Sequence, residues 1–534
     1  MSQTSRTDGV CAIFLHAGAG YHSRENEHKH LKACETAAIR AIAFLKRGAT
    51  AVDAVEAALM VLEDNPITNA GFGSNLNAHG VVEGDASIVD HKGLSGAVGA
   101  VPNVKNPIML ARKVYEQSKV PLGNSRVPPN FLVGEGAKDF AWEHGIILVP
   151  NETMVSPVAS QRYKIWVEEV KDHENEVHGE AVDPWVRRPM TSLDARLARL
   201  EQVSEAGSPS VRSSRSSSAY EASEAISSQA GSSPSRGVKG QHRSSPLNQS
   251  TEKTTKPTRP YLPMRPISAP TSPQDGSPED ADVQDGDDMD MVTDTVGAIA
   301  IDIYGNIAAG SSSGGIGMKH RGRVGPAALI GIGTHVIPID PTDEDETTCA
   351  AITSGTGELI AGTLSASTCA TRLYHSQAKG RGGVYTEVLE EEALKEFMEK
   401  EFTGHSVVQN SALFGALGVV VVKKTNSAIE FYFAHNTDSF AIATMSSKED
   451  KPACVMSRSS RGNVAQGGTR IRIPSGPLRS TDFSSFGYSS VDQIVFVSPP
   501  IFPPLLVPSK AHIIGSGVAT SSFRFLALLL WRFA

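Results

Sequence analysis

The chain has 534 residues, a formal net charge of −8 with histidine neutral, and a pI near 6.1. This balance gives no general basis for binding nucleic acid, whose phosphates attract basic surfaces, so we expect no nucleic-acid partner. The segment 204–290 is rich in serine, proline and charged residues, and such a composition cannot bury enough apolar surface to fold alone. The length therefore indicates one large folding unit with a long polar arm.

The cysteines and the two ends of the chain narrow the class of protein further. The cysteines are dispersed, without CxxC spacing: Cys11, Cys34, Cys349, Cys369 and Cys454. This pattern is typical of reduced core cysteines, so we expect no disulfide frame or zinc site. The sequence as a whole implies no metal or organic cofactor. The first residues lack the apolar core of a signal peptide, and the apolar run 523–531 is too short to span a bilayer. We expect a soluble protein of the cytoplasm or nucleus with no membrane partner.

Before the polar arm, apolar periodicity predicts short buried elements joined by glycine-rich turns. The predicted strands are 10–15, 81–90 and 96–101, and the predicted helices are 31–46, 52–62, 107–117 and 134–144. The segments 16–20 and 69–77 are predicted turns or loops because they are rich in glycine and asparagine. His22, His28 and His30 fit a solvated loop or first helical turn better than a metal site.

After the arm, a second set of strands and helices is predicted. The strands are 296–303, 307–313, a strand ending near 355, and a hairpin of 413–422 and 429–434, and the helices are 358–373 and 384–402. The pattern ends near residue 463. Two sets of strands, each accompanied by helices, favour two sheets packed together with helices outside.

The junction between the arm and the second set of elements indicates chemistry. Asp294 is followed by Thr295, and an apolar strand then begins without a lead-in. If the bond between them is cut, Thr295 gains a free α-amine, which titrates near ~7.7–8.0 and can take the proton of its own hydroxyl. On the residues alone, a strand that simply begins after a disordered segment remains an alternative.

Seven motifs occur in order over about residues 10–440, and together they resemble the type 2 asparaginase family of N-terminal nucleophile hydrolases. They are His16-Ala-Gly-Ala-Gly, Asn69-Ala-Gly-Phe-Gly-Ser, Asp85-Ala-Ser-Ile, Asp294-Thr-Val-Gly-Ala, Ser312-Ser-Gly-Gly, Gly322-Arg-Val-Gly and Thr353-Ser-Gly-Thr-Gly-Glu. The resemblance implies an α+β fold of the αββα four-layer sandwich type. It also implies self-cleavage between Asp294 and Thr295.

Under this resemblance the chain divides into two subunits. Residues 1–294 would form an α subunit, ordered over about 10–160, with the disordered arm at about 204–290. Residues 295–534 would form a β subunit, ordered over about 295–460, with an uncertain tail at 463–534. Family members usually pair such αβ units, which implies a heterotetramer after processing.

Within the family, the sequence most resembles the threonine aspartase branch, whose members are endopeptidases that cut proteins after aspartate. Small-substrate asparaginases place an aspartate after Gly-Arg-Val-Gly, where it pairs with the substrate ammonium, whereas this chain has Pro326. The predicted partners are therefore protein substrates with an aspartate before the cut. The alternatives are an L-asparaginase or isoaspartyl dipeptidase, and a non-catalytic scaffold that works through its Ser-Pro-rich arm.

The resemblance also implies a role for each motif residue. Thr295 would be the nucleophile, Ser313 would hold its hydroxyl, and Asn69 with the Gly18 turn would stabilise the oxyanion. Arg323 would pair with the aspartate carboxylate of the substrate through its two-pronged donor geometry. The residues expected to line that pocket are Ser354, Gly355, Thr356 and Gly357.

Overall fold

The computed structural model describes residues 9–178 and 294–474, which adopt a mixed α+β fold. The strands are β1 (Ala12–Gly20), β2 (Gly84–Val89), β3 (Ser95–Val101), β4 (Phe131–Val133), β5 (Val296–Ile301), β6 (Ile307–Ser313), β7 (Thr334–Ile337), β8 (Thr348–Gly355), β9 (Gln377–Lys379), β10 (Tyr385–Glu387), β11 (Leu417–Lys424), β12 (Ala428–His435), β13 (Ser439–Ser446), β14 (Ala453–Arg458) and β15 (Ala465–Arg472). The helices are α1 (Glu27–Lys46), α2 (Ala51–Glu63), α3 (Pro107–Ser118), α4 (Gly134–Glu143), α5 (Asn151–Met154), α6 (Pro157–His178), α7 (Gly357–Thr363), α8 (Ser365–Tyr374), α9 (Glu390–Glu396) and α10 (Ser406–Gln409). The predicted arm at 204–290 and the tail beyond 474 lie outside the described residues.

The strands form two main sheets. The larger sheet has the order β14-β13-β1-β5-β6-β2-β3-β4, in which β3 and β4 are parallel and the other pairs are antiparallel. The smaller sheet has the antiparallel order β15-β12-β11-β8-β7. The predicted hairpin is confirmed as β11 and β12, with Val419 opposite Ala434. The strands β9 and β10 pair separately from both sheets.

Three apolar clusters hold these elements together. The first joins α1, α2 and α3 to the larger sheet, and the third joins α8 and α9 to the smaller one. The second cluster lies between the sheets and contains Phe14 and Ile299 from the larger sheet with Ile352 and Phe431 from the smaller. The rings of Phe14 and Phe431 stack with their centroids 5.3 Å apart. The two sheets therefore share one core, whose apolar burial drives their association.

Helix α2 shows how local sequence sets these boundaries. Thr50 and Asp53 form a reciprocal capping box, in which the amide of Asp53 donates to Thr50 Oγ1 at 3.2 Å and the amide of Thr50 donates to Asp53 Oδ2 at 3.0 Å. Leu59 and Leu62 then follow on the buried face. The predicted helix 52–62 is confirmed with this start.

Two predicted helices are wrong in part. The helix predicted at 358–373 is divided into α7 and α8 at Leu364, which has a left-handed φ of 50° and so cannot continue the helix. The first part of the helix predicted at 384–402 is strand β10, because Thr386 pairs with Ala378 of β9. The helical part is α9, followed by a π-helical segment, Phe397–Thr403.

The ordered structure also extends past the predicted limits near 160 and 460. Helix α6 runs to His178, and β15 adds an edge strand at Ala465–Arg472. Strand β15 lacks a clear alternating pattern because it contains glycines; a Cβ at Gly468 would lie 2.5 Å from the carbonyl oxygen of Phe431. Among the described helices, none is long and apolar enough to cross a bilayer.

Candidate active site

The strand that follows Thr295 lies in the middle of the larger sheet, between β1 and β6. The register with β6 places Ser312 opposite Val296, and hence Ser313 beside Thr295. On the other side lies β1, which continues to Gly20 with a bulge between His16 and Ala19, so the segment 16–20 predicted as a turn is part of the strand. The side chains of this region are enclosed, since Thr295 is only 6% exposed. Residues far apart in the chain thus meet at the junction where the sequence predicts a cut.

The hydroxyl of Ser313 lies against the bond predicted to be cut. Its Oγ donates to the carbonyl oxygen of Asp294 at 3.4 Å and accepts from the amide of Gly315 at 3.0 Å. The first distance is long for a hydroxyl donor, so this hydrogen bond is weak in the uncut chain. A donor in this position can strengthen its contact as negative charge develops on the Asp294 oxygen.

Ser354 reaches the same junction from strand β8 of the smaller sheet. Its Oγ accepts from the amide of Thr295 at 3.2 Å and from the amide of Ala19 at 3.0 Å. The sequence predicts Ser354 as a substrate-binding residue. In the structure its hydroxyl instead accepts a hydrogen bond from the Thr295 nitrogen, which would become the α-amine after cleavage. Ser354 therefore positions the nucleophilic residue and connects the two sheets at the site.

Asn69 is held in a different arrangement from the one that an oxyanion donor requires. Its Nδ2 donates to the carbonyl oxygen of Gly315 at 2.8 Å, and its Oδ1 accepts from the amide of Asn75 at 2.9 Å. These hydrogen bonds orient the turn that follows Ser313. The predicted role of Asn69 in binding the oxyanion stays a prediction.

The bulged segment of β1 that contains Gly18 contacts Asp294 directly. Gly18 has a φ of 113°, and a Cβ there would lie 2.2 Å from the Cβ of Asp294. Both the backbone conformation and the close approach require glycine. In the same segment of β1, the amide of Ala19 already donates a hydrogen bond to Ser354 Oγ. A contribution of Gly18 to an oxyanion hole stays a prediction.

The guanidinium group of Arg323 lies close to two glycines, Gly325 and Gly357. A Cβ at Gly357 would lie 2.6 Å from its Nη2, and a Cβ at Gly325 would lie 2.8 Å from its Nη1. The guanidinium donates from Nε and Nη2 to Glu358 Oε1 at 3.0 and 2.8 Å. The Arg323 side chain is 15% exposed and that of Glu358 is 56% exposed. The predicted carboxylate-binding residue is therefore already paired with an exposed carboxylate of its own chain.

The other predicted pocket residues divide into two groups. Gly357 contacts Arg323 and Pro326, as the predicted pocket requires. In contrast, the amide of Thr356 donates to the carbonyl oxygen of Ala416 at 2.9 Å, and a Cβ at Gly355 would lie 2.2 Å from that oxygen. Gly355 and Thr356 therefore fit the end of β8 against the segment before β11.

A buried charged group supports the segment that carries Arg323. Lys319 is 2% exposed and its Nζ donates to the carbonyl oxygen of Glu83 at 2.7 Å. Asp85 accepts from the amides of Ala100 and Gly325 at 2.7 and 2.8 Å. Burial lowers the pKa of Lys319 and raises the pKa of Asp85, and the attraction between the two opposes both shifts.

Two of the histidines predicted to lie in a solvated loop or first helical turn are fully buried, and His30 does lie in the first turn of α1. His22 and His30 have 0% exposure, and their rings meet edge to face with centroids 4.4 Å apart. The Nε2 of His22 lies 3.2 Å from Asp294 Oδ2. Sequence reasoning missed this contact because the polar sequence around His22 is typical of a loop. The described residues contain no group of three or more acidic, histidine or cysteine residues that could hold a metal ion.

Two further buried groups lie near the nucleophile. His16 is enclosed in β1, and burial lowers its pKa to about 3, so the ring is neutral near pH 7. Glu63, at the end of α2, accepts from the Ser312 hydroxyl at 2.6 Å and from the amide of Ile108 at 2.9 Å. Burial raises the pKa of Glu63 to about 8. A neutral carboxyl group therefore accepts the hydrogen bond of Ser312, the residue of β6 that precedes Ser313.

Comparison with known proteins gives an independent result. A family model described as asparaginase matches residues 10–194 and 244–382, which is more than half of the chain. An isoaspartyl peptidase/L-asparaginase from Xenopus laevis is 40% identical over 166 residues, covering 31% of this chain and 50% of the relative. The human protein of that name is 44% identical over 146 residues, covering 27% of this chain and 44% of the relative.

A similar match extends to archaea. A plant-type L-asparaginase from Pyrococcus abyssi is 43% identical over 161 residues, covering 30% of this chain and 48% of the relative. The chain spans about half the length of the curated relatives that it matches. These relatives carry the names of small-substrate enzymes, so they do not show the predicted resemblance to threonine aspartases, which stays a proposal.

We predict that Ser313→Ala slows cleavage between Asp294 and Thr295 by about 10²- to 10³-fold, because it removes a donor at the developing oxyanion. Mass spectrometry of the full chain over time measures this rate. Ser311→Ala is the matched control, since its hydroxyl lies on the same strand but contacts Thr334 Oγ1 at 2.7 Å. Equal rates for the two variants would contradict the assigned role of Ser313.

We predict that Glu63 makes the folded state less stable as pH rises. Between its ordinary pKa of 4.5 and the folded value of about 8, the folded chain retains a proton that the unfolded chain releases. The contribution of Glu63 to stability is therefore largest below pH 4.5 and falls toward pH 8, at up to about 1.4 kcal/mol per pH unit.

Glu63→Gln keeps the acceptor and should remove this slope. Urea unfolding at pH 5 and pH 8, in a Thr295→Ala chain that stays in one piece, measures the effect. Glu143→Gln, at an exposed position of α4, is the control. An unchanged pH slope in Glu63→Gln would show that the buried carboxyl is ionised in the folded chain.

Proposed function

The chain belongs to the asparaginase family of hydrolases, and from this we propose that it is an autoprocessing enzyme with Thr295 as its N-terminal nucleophile. The observation that supports this proposal is the arrangement around the peptide bond between Asp294 and Thr295. The carbonyl oxygen of Asp294 accepts a hydrogen bond from the Ser313 hydroxyl at 3.4 Å, while the amide of Thr295 donates to the Ser354 hydroxyl at 3.2 Å. Both sides of one peptide bond are thus held by hydroxyl groups from different strands.

The proposed self-cleavage begins with attack of Thr295 Oγ on the carbonyl carbon of Asp294. The carbon–oxygen bond of an ester forms, the peptide carbon–nitrogen bond breaks, and the nitrogen leaves as the α-amine of Thr295 with the hydroxyl proton. Water then hydrolyses the ester and releases the carboxylate of Asp294. The products are an α subunit of residues 1–294 and a β subunit of residues 295–534.

The mature Thr295 then acts on a substrate in the same way. Its α-amine, held near Ser354, takes the proton from Oγ, and the alkoxide attacks the substrate carbonyl. The protonated amine donates to the leaving nitrogen, and water hydrolyses the resulting ester. Ser313 would orient Oγ, and Asn69 with Gly18 would contribute to the oxyanion site.

The first candidate substrate class is small β-aspartyl dipeptides and L-asparagine. The relatives named isoaspartyl peptidase/L-asparaginase support this class, and they give it the broader support. Arg323 would bind the substrate α-carboxylate. Glu358 lies 2.8 Å from Arg323 Nη2 and offers a carboxylate that can accept the substrate ammonium.

The second candidate is cleavage of protein substrates after aspartate, as in the threonine aspartase branch. It is supported by Asp294, which precedes the self-cut, and by Pro326, which lies buried against Gly357 beside Arg323. An apolar residue does not bind an ammonium and does not oppose an upstream peptide chain. Under this candidate, Arg323 would bind the aspartate side chain, and Glu358 would compete with it.

Other parts of the proposal concern architecture and assembly. The three apolar clusters support a four-layer αββα sandwich. We propose that processed αβ units associate into a heterotetramer, and that the protein works in the cytoplasm or nucleus. A non-catalytic scaffold would retain this fold without cutting itself.

We predict that the purified wild-type chain separates into two fragments whose masses fit a cut between Asp294 and Thr295. Thr295→Ala should remain one chain, because it has no hydroxyl to attack the carbonyl. Intact-mass measurement after long incubation tests both. A wild-type chain that stays whole would remove the α-amine from the mechanism and favour the scaffold.

We predict opposite effects of Glu358→Gln for the two substrate classes. With a β-aspartyl dipeptide, loss of the carboxylate should raise KM by about three- to tenfold if Glu358 binds the ammonium. With an internally quenched peptide containing one aspartate, loss of the competitor should lower KM by a similar factor. Steady-state kinetics on both substrates decides between the classes.

The control for this pair of assays is Glu392→Gln, which lies at an exposed position of α9. It should leave both KM values unchanged because, in the described structure, Arg323 pairs with Glu358 and no contact joins Arg323 to Glu392. If Glu358→Gln also leaves both values unchanged, Glu358 does not take part in binding either substrate.

A further inference from the structure

The side chain of Asp294 occupies a closed site that the proposed mechanism does not use. The residue is 3% exposed, and its Oδ2 lies 3.2 Å from Nε2 of His22. A Cβ at Gly20 would lie 2.5 Å from Oδ1, and a Cβ at Gly18 would lie 2.2 Å from the Cβ of Asp294. Two glycines and one histidine therefore enclose this carboxylate.

The ring of His22 is fixed in place by strand β13. Its Nδ1 lies 2.8 Å from Ser439 Oγ, and its own amide donates to the same oxygen at 2.9 Å. Ser439 Oγ is also 3.2 Å from the carbonyl oxygen of Gly20. From β14, Arg458 Nη1 donates to the carbonyl oxygen of His22 at 3.2 Å. A histidine held at both its ring and its backbone can position the carboxylate that it faces.

The hydrogen bonds of Ser439 determine what His22 presents to Asp294. If the serine hydroxyl donates to Nδ1, then Nε2 carries the ring proton. If the hydroxyl donates to Gly20, then Nδ1 donates its proton to the serine oxygen instead. Nε2 of His22 and Oδ2 of Asp294 are both buried without a hydrogen-bond partner in the described structure, and they approach each other to 3.2 Å. The ring edge and the carboxylate oxygen therefore face each other as two otherwise unsatisfied polar atoms.

Arg323 does not take part in this site. Among the contacts of the described residues, its guanidinium is paired with Glu358, and no contact joins it to Asp294. The carboxylate that precedes the self-cut and the residue expected to bind a substrate carboxylate thus lie in separate environments. Recognition of aspartate in self-cleavage and in substrate hydrolysis can therefore depend on different residues.

We propose that His22, Gly18 and Gly20 form a carboxylate site that binds the Asp294 side chain and positions the adjacent carbonyl for self-cleavage. This inference rests on the proposed autoprocessing. His22 is a positioning residue: it holds the side chain, while Ser313 and Ser354 hold the two sides of the peptide bond. The site selects an acidic residue before the cut independently of Arg323.

The test is a double-mutant cycle on the full chain, with self-cleavage followed by intact mass. His22→Gln and Asp294→Asn should each slow the cut by about ten- to a hundredfold, because the carbonyl loses its alignment. The double variant should be about as slow as the slower single variant, since both remove the same contact. Asp294→Asn preserves the shape of the side chain, so its effect does not depend on refolding of the core.

His335→Gln is the control, since it replaces a partly buried histidine of β7, in the smaller sheet. It should change the cleavage rate less than about threefold. Multiplicative effects of His22→Gln and Asp294→Asn would overturn the site, because they would show independent structural roles. Arg323→Ala distinguishes one site from two: if it stops the self-cut as completely as His22→Gln, the separation from Arg323 is wrong.

The outcomes for the wild-type chain separate this inference from the proposed function. A wild-type chain that stays intact overturns both. A wild-type chain that cuts at Thr295, while His22→Gln and Asp294→Asn cut equally fast, overturns the carboxylate site alone and leaves the proposed autoprocessing in place.

Discussion

The geometry of the candidate active site depends on one peptide unit, between Asp294 and Thr295, which is held between two sheets at the start of β5. The amide of Thr295 is bound by a hydroxyl of the smaller sheet, and the preceding carbonyl is bound by a hydroxyl of the neighbouring strand in the larger sheet. Neither hydrogen bond is short, so the alignment depends on the rigidity of the surrounding strands. The shared core at Phe14 and Phe431 supplies that rigidity, because closely packed interiors resist small displacements.

Close backbone approach is the second constraint, and glycine meets it on both sides of the site. Gly18 and Gly20 leave space for Asp294, whereas Gly325 and Gly357 leave space for Arg323. At each of these positions a Cβ would lie within 3 Å of the neighbouring side chain. The glycines therefore do more than permit turns. Because they have no Cβ, they leave the space that Asp294 occupies at one site and Arg323 at the other.

The side chains at these two sites differ in their exposure, and this difference separates their proposed functions. His22 and Asp294 are enclosed, so solvent does not reach their contact. Arg323 meets a half-exposed Glu358, so its pairing is weaker and can be exchanged for another carboxylate. The same chain can thus hold its own Asp294 firmly and still leave Arg323 available to an incoming ligand. Under the proposed function, Pro326 and Glu358, beside Arg323, are the side chains that would distinguish the two substrate classes.

The sequence by itself determined the features that local pattern and motif order encode. Capping residues placed the start of α2, hydrophobic periodicity predicted eight of the fifteen described strands, and the acidic-hydroxyl junction with its seven motifs indicated the nucleophile and the family. Periodicity failed where glycines interrupt it, as in β15, and where a single left-handed residue, Leu364, divides a helix.

Only the tertiary structure decided the partners of the site residues. His22 meets Ser439 across 417 positions of sequence, and Ser354 meets Ala19 across 335. Contacts at such separations leave no local pattern, because they depend on how two sheets pack. For the same reason, the sequence predicted Ser354 as a pocket residue and His22 as solvated, while packing placed both at the bond that precedes Thr295. Residue identity thus determined which chemistry is available, and sheet packing determined which groups can act together.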